Sequence, residues 1–490
     1  LAAERLPLNA CGAMRTFIGA YYTSTNLRSF YTLPLLQSGH KKRRWVVASK
    51  EELKKKVSDR IDQRASDIVR LSKTILENPE TGFREMKTAK LVSDCFKGAS
   101  IKHRSGLAIT GVKGELVGGS AGPSVALIGE MDSLIVSEHP HATAGTGAAH
   151  ACGHHAQIGM LMGAAYGLMA PEVLEGISGR VVLFAVPAEE YIEIEYRDGL
   201  RRAGALEFLG GKPELIRLGE FDDVDMAFMC HTTSIAEEKK LCISGTNNGT
   251  VAKSIRFLGR AAHAGGAPHL GVNALNAASL ALMAIHANRE TFKDNDTVRI
   301  HPIITKGGEA VNSVPADVRM ETFVRASDID AIVEANRKVD RALKAGAMAV
   351  GAKVNITTIP GYLPLKQDYS MMEIFRRNAV SLVGEEGIGY RRHGTGSTDM
   401  GDVSQIMPAI HPYVGGATGL GHGNDYIIKD YDLAVVTAAK SIATTIIDLL
   451  AEGAAGAANV LSQHRGAMTK AQYLKLMRNL ANEELYTPEE

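Results

Sequence analysis

The sequence predicts a mainly parallel α/β domain interrupted by a smaller α+β insert, and three observations lead there. First, short β-branched runs alternate with helix-length segments. Residues 124–130 (SVALIGE) and 180–186 (RVVLFAV) read as buried strands, with a helix from about His155 to Leu168 between them. Strand, helix, strand at that spacing makes a βαβ unit and a parallel sheet. Second, residues 249–362 run strand (252–258), helix (273–289), two strands (near 297–305 and 317–325), helix (329–349) and strand (353–359). That order is the ferredoxin-like split βαβ pattern. Third, residues 363–453 resume the first pattern and end in a long helix from Tyr431 to about Leu450. A chain that returns to its first architecture has an inserted domain.

The elements follow in order. Residues 1–50 contain no acidic group after Glu4 but hold Arg5, Arg15, Arg28, Lys41, Lys42, Arg43, Arg44 and Lys50 among many Ser, Thr and Tyr. That composition suits an organellar transit segment or a disordered extension, and it is set aside for the fold. Otherwise a cytoplasmic location is expected. Leu53, Val57, Ile61, Ile68, Leu71 and Ile75 fall near one face of a helix that Asn78-Pro79 stops. The segment 225–231 (DMAFMCH) is a further strand and ends on a histidine. Domain limits are therefore expected at 51–248 and 363–453 for the larger domain and 249–362 for the insert. Residues 454–490 form a tail expected to be helical with a frayed end.

Bulk properties exclude several functions. The 490 residues, 45% apolar, suffice for more than one core. A net charge of +1 leaves no electrostatic footprint for nucleic acid or an anionic membrane. No apolar run is expected to span a bilayer: the best stretch, Ile158 to Ala170, is too short and reads as a buried helix. Five scattered cysteines make no disulfide framework and fit a reducing compartment.

The densest chemistry is His150-Ala151-Cys152-Gly153-His154-His155. A thiolate and an imidazole two residues apart can bind zinc-like metals, and Gly153 lets the backbone bend so that both face one cleft. Read alone, the run also suits a buried cysteine beside surface histidines. Pro187-Ala188-Glu189-Glu190 follows the strand 180–186, where ligands of open parallel sheets gather. One carboxylate can bind metal while the other takes a proton from water. Read alone, the pair is a solvated opening to a helix. Cys230-His231 ends a strand, and Gly421-His422-Gly423 precedes the last helix. Together these supply Cys, His, Glu, His and His. Five ligands exceed a closed structural zinc site and suit two metals, or one with open positions.

With GEMDSL (129–134), these motifs resemble the M20 metallopeptidases, and within them the amidohydrolase branch of aminoacylase-like and p-aminobenzoyl-glutamate hydrolase enzymes. Supporting runs are ENPETGFRE (77–85), GRAAHAGGAPHLGVNAL (259–275), GGEAVNSVPADVRMETFVRA (307–326) and GTGSTDMGDVSQIMPAIHPYVG (394–415), so the resemblance covers about residues 54–453. It implies that Cys152, His154, Glu190, His231 and His422 hold two divalent ions, zinc or manganese. It implies Glu189 as general base and acid, with Asp132 orienting the metal site. His263 would reach from the lid into a partner subunit's cleft and steady the oxyanion, which implies a homodimer through the lid. Asn312 and Arg325 would hold a substrate carboxylate. The implied reaction is hydrolysis of an amide in an N-acyl amino acid, a p-aminobenzoyl-glutamate-like compound or a dipeptide, by metal-activated water. Two departures stand out: His155 replaces the family's Asp or Asn, and a longer gap before His231 implies an insertion near 191–222. The competing readings are a non-catalytic relative used for binding or assembly, which Glu189 argues against, and a closed structural zinc protein.

Overall fold

In a computed structural model, which describes residues 48–489, the chain builds a six-stranded central sheet flanked by helices. The expectation for the N-terminal extension lies outside the described residues, except that Ser49 caps the helix Lys50–Leu76 in a reciprocal box with Glu52. At the heart of the sheet, Ser120–Glu130 lies parallel to Ser178–Val186 on one side and to Met226–Met229 on the other. Ala409–Ile410 continues the parallel order beyond Met226–Met229. Gly111–Val117 and Lys102–Leu107 add two antiparallel strands at the far edge. The sheet is thus mainly parallel. The buried strands carry near-continuous apolar runs because helices cover both faces.

On one face the helix His154–Leu168 packs between Lys50–Leu76 and Ala438–Gln463. Fourteen of its fifteen residues are buried, which is why it shows no polar stripe. The other face is covered by Gly211–Leu218, Met400–Ile406 and Lys470–Leu480. The segment Asp432–Gln463 is long and apolar enough to cross a membrane, contrary to the sequence reading; 78% of its most apolar window is buried inside the protein, as befits a core helix. It begins with a π-helical turn, Asp432–Thr437, and is broken at residues 451–454, where Glu452, Gly453 and Ala454 have left-handed backbones.

A second sheet forms the lid. Gly249–Leu258 is paired along its length with Asp317–Ala326 and with Lys353–Pro360, both antiparallel. Arg299–Ile300 and Ile303–Lys306 make a broken edge strand on Asp317–Ala326. The helices Ala274–Ala287 and Ile329–Met348 cover one face, giving the split βαβ order. The tail departs from expectation. After the helix Lys470–Leu480, residues Asn482–Tyr486 form a strand on the outer side of Lys353–Pro360. The frayed helix predicted there is instead a helix followed by an added strand of the lid, whose formation satisfies backbone groups that an open edge would expose.

Candidate metal centre

Beyond the carboxyl end of Ser120–Glu130 the chain turns through Asp132, which is fully buried. Its Oδ2 accepts the Glu190 N–H at 2.9 Å, and its Oδ1 lies 3.2 Å from His154 Nδ1. His154 Nδ1 is also 2.9 Å from the Asp132 carbonyl oxygen. This contact fixes the ring so that Nε2 faces Glu130 and the other candidate ligands. Cys152 and His154 flank Gly153, whose φ is +85° and whose place cannot take a Cβ, since one would stand 2.2 Å from Thr232 Oγ1. The bend expected of Gly153 is therefore required on two counts.

The turn after Ser178–Val186 is held from several sides. Ala188 is left-handed, with φ at 54°, and its N–H donates to Glu85 Oε1 at 2.8 Å. The predicted insertion contains the helix Ile194–Arg202, and its fully buried Arg197 donates to the Ala188 and Glu190 carbonyls. The Tyr362 hydroxyl donates to the Glu189 carbonyl. Backbone strain at Ala188 is thus offset by surrounding contacts. Both carboxyls are left facing inward, 8% and 6% exposed for Glu189 and Glu190.

Five of the predicted ligands meet here. Cys152, His154 and His231 can each place a donor atom within 4.8 Å of the others, and so can Cys152, Glu190 and His422. The two groups share Cys152. Its Sγ is 3.3 Å from His231 Nε2, and Glu190 Oε1 is 3.6 Å from His422 Nε2. His231 Nδ1 is steadied by the Thr232 carbonyl at 2.7 Å. His422 has a left-handed backbone, φ 65°, and its N–H donates to the Ala151 carbonyl at 2.9 Å. Glu190 Oε1 is buried with no hydrogen-bond partner, and His154 Nε2 has no partner beyond its ion-pair contact with Glu130 Oε2 at 3.2 Å. Orphaned donors of this kind, in a thiolate, imidazole and carboxylate set, fit divalent cations. Burial and the Glu190 charge push the Cys152 thiol well above its ordinary range, so a nearby cation is what would keep it a thiolate. Burial, then repulsion from Glu130, Glu190 and Asp399, lifts the Glu189 carboxyl well above the usual carboxylate range.

Other predicted residues are dispersed. Arg325 lines the same cleft of about 600 Å³. Asn312 does not; it sits beside His263 on the lid, where the Ala264 N–H donates to the Asn312 carbonyl at 2.9 Å and His263 bridges to Ser313. Neither His263 nor Asn312 lines the cleft of its own chain among the described residues. His155 points away into the core, 3.2 Å from the Tyr431 hydroxyl, and burial lowers it to about 3, so it is neutral. The substitution therefore alters the packing behind the site and not its donor set. Sequence reasoning missed Glu130, whose Oε2 is 3.2 Å from His154 Nε2, and the fully buried Lys212 that bridges Glu130 at 2.6 Å to Asp399. Glu130 stood within the GEMDSL run; nothing in the sequence ties Lys212 to it.

Similarity to known proteins extends over most of the chain. A family model, the peptidase dimerisation domain of the M20 group, matches residues 246–349. An Xaa-Arg dipeptidase from Mus musculus is 28% identical over 429 residues, covering 82% of this chain and 90% of its own. The Homo sapiens Xaa-Arg dipeptidase is 30% identical over 319 residues, covering 62% of this chain and 67% of its own. Among solved structures, a dinuclear metal binding peptidase of the M20 family from Bacillus subtilis superposes with a TM-score of 0.57 at 18% identity, covering 79% of this chain and 99% of that one.

Proposed function

Because the chain belongs to the M20 family of metal-dependent hydrolases of C–N bonds, we propose that it cleaves the amide of a small N-acyl amino acid, a p-aminobenzoyl-glutamate-like compound or a dipeptide. The observation that carries the reading is the pair of ligand groups sharing Cys152, with Glu189 beside them at 4.0 Å from His154 Nε2. Cys152, His154, Glu190, His231 and His422 would hold two divalent ions, zinc or manganese. When bound, such ions polarise a carbonyl and acidify water. Glu189 takes the proton from the attacking water and hands it to the leaving amine nitrogen. Its low exposure and raised carboxyl suit a group that must accept and return a proton. Asp132 holds His154 and the Glu190 backbone in register. Arg325 anchors a substrate carboxylate at the lid side of the cleft.

The homodimer belongs to the same proposal. His263 and Asn312 stand together on the lid outside their own chain's cleft, as residues serving a partner's cleft would. Leu280 and Met283 on the helix Ala274–Ala287, and Ile303 and Ile304 on the lid's open edge strand, are exposed apolar groups; Met283 is 66% and Ile303 60% accessible. A second copy is the occupant such a face and edge would take. The test of the reaction is Glu189→Gln in metal-loaded protein. Metal content is expected to hold while turnover on a panel of N-acyl amino acids and dipeptides falls by at least about 10²-fold. Near-normal turnover would remove Glu189 from the chemistry.

A further inference from the structure

The cleft-facing side of the lid sheet carries an arrangement that folding alone does not explain. Arg299 and Arg325 are direct partners across the antiparallel pairing of Arg299–Ile300 with Asp317–Ala326. Their side chains leave the same face, and both line the cleft that holds Cys152 and Glu189. Like charges directly opposed on a sheet destabilise it. Elsewhere on this face the problem is met with carboxylates: Arg256 pairs with Asp317 at 2.6 Å and Arg319 with Glu195 at 2.6 Å. Arg299 and Arg325 have no such partner among the described residues. Arg325 Nε donates to His301 Nε2 at 3.3 Å, and its guanidinium lies 5.0 Å from the Phe323 ring centroid. Arg299 donates to the Val298 carbonyl beside it.

The rest of the cleft adds no compensating charge. A third arginine in its wall, Arg391, is already held by Glu238. Among the described residues, the only carboxylates lining the cleft are Glu189 and Glu190, which the reaction occupies. In the same cleft, Asn247 Oδ1 and Ser397 Oγ are buried without hydrogen-bond partners, and Asn247 is 5% exposed. One guanidinium suffices for the α-carboxylate of an amino acid. A second, opposed and unpaired, calls for a second negative charge.

Building on the amide-hydrolase reading, we propose that the amine half of the substrate is a dicarboxylic amino acid of the glutamate or aspartate class, with Arg299 and Arg325 dividing its two carboxylates. The same cleft offers no free carboxylate to a basic side chain, so the preference differs from that named for the mouse and human relatives.

The experiment compares N-acetyl-glutamate, N-acetyl-glutamine and N-acetyl-arginine as substrates of the metal-loaded chain. Glutamate and glutamine are near-isosteric and differ in the second charge. The expected kcat/KM ratio of glutamate to glutamine is at least about tenfold, which is about 1.4 kcal/mol, and it is expressed in KM. Arg299→Gln should bring that ratio below about threefold, and Arg299→Lys should restore most of it. The proposal is overturned if wild-type protein takes glutamine or arginine as well as glutamate, or if Arg299→Gln leaves the ratio unchanged. Absence of hydrolysis on all three would count against the amide-hydrolase reading alone. In that event calorimetric binding of the three compounds to metal-loaded Glu189→Gln protein still decides the inference, by the same tenfold criterion.

Discussion

Lys212→Met tests the charge arrangement beneath the metal centre. Lys212 is 0% exposed and its Nζ sits between Glu130 and Asp399, which are equally buried. At the 2.6 Å separation from Glu130, an effective dielectric of about 20 gives an attraction of roughly 6 kcal/mol. The loss on substitution is smaller. Burial already lifts Asp399 to about 6 despite Lys212, so without the ammonium Asp399 takes up a proton. Burial also works against the charge on Glu130, but Lys212 and His154 outweigh it and hold that carboxyl below the usual range. Removing Lys212 leaves about one uncompensated buried charge, for which about 3–5 kcal/mol is the ordinary cost. At roughly 2 °C per kcal/mol, the low end for large domains, the melting temperature falls by about 6–10 °C. Scanning calorimetry on apo and metal-loaded protein measures it. The apo protein should show the larger fall, because a cation near His154 offers Glu130 another counter-charge. A shift within about 2 °C in the apo protein would mean that the triad is not held as charges, and the reasoning would fail.

Three further outcomes are expected. Cys152→Ser replaces the donor common to both ligand groups with a poor one, so elemental analysis should find metal occupancy at both positions reduced, with circular dichroism unchanged. Gly153→Ala combines a left-handed φ, costing about 1–2 kcal/mol, with a Cβ at 2.2 Å from Thr232 Oγ1; metal affinity should drop by at least about tenfold as Cys152 and His154 are displaced, and unchanged affinity would contradict the geometry. Mixing His263→Ala with Glu189→Gln chains, each nearly inactive, should recover activity of up to about half per mixed dimer if His263 serves the partner's cleft. No recovery after subunit exchange has been demonstrated by native mass spectrometry would confine His263 to its own chain.

The parallel sheet was legible because its strands are buried on both faces and so read as unbroken β-branched runs. The candidate ligands were legible because metal chemistry concentrates Cys, His and Glu at strand ends, where four short segments carry them. Longer-range pairings left no local trace. Lys212 lies 82 residues from Glu130 and 187 from Asp399, and only the folded chain brings them together. The split between Asn312 and Arg325 was equally hidden, since thirteen residues of sequence do not say which face of the lid each takes. Residues Asn482–Tyr486 alternate too weakly to announce a strand, because Tyr486 is the one apolar side chain among them that packs on the lid core. The helix before it did carry a signal, the Thr469 and Gln472 capping box, which the reading of the tail passed over.

The added strand also bears on how the lid can move. Gly249–Leu258 and Lys353–Pro360 join the rest of the chain at one end, where Thr250 and Tyr362 exchange backbone hydrogen bonds of 2.7 and 3.0 Å. Asn482 enters beside Thr358, at that same end. Three attachments therefore stand in a row across adjacent strands, spanning about 10 Å. A plate hung on such a row can swing about it but resists twisting in its own plane, much as a wide door hinge does. His263 lies beyond the opposite end of Gly249–Leu258, roughly 30 Å away at about 3.3 Å per residue. A swing of about 10° at the row would carry that histidine through an arc of about 5 Å, while the arginines near the hinge would scarcely shift.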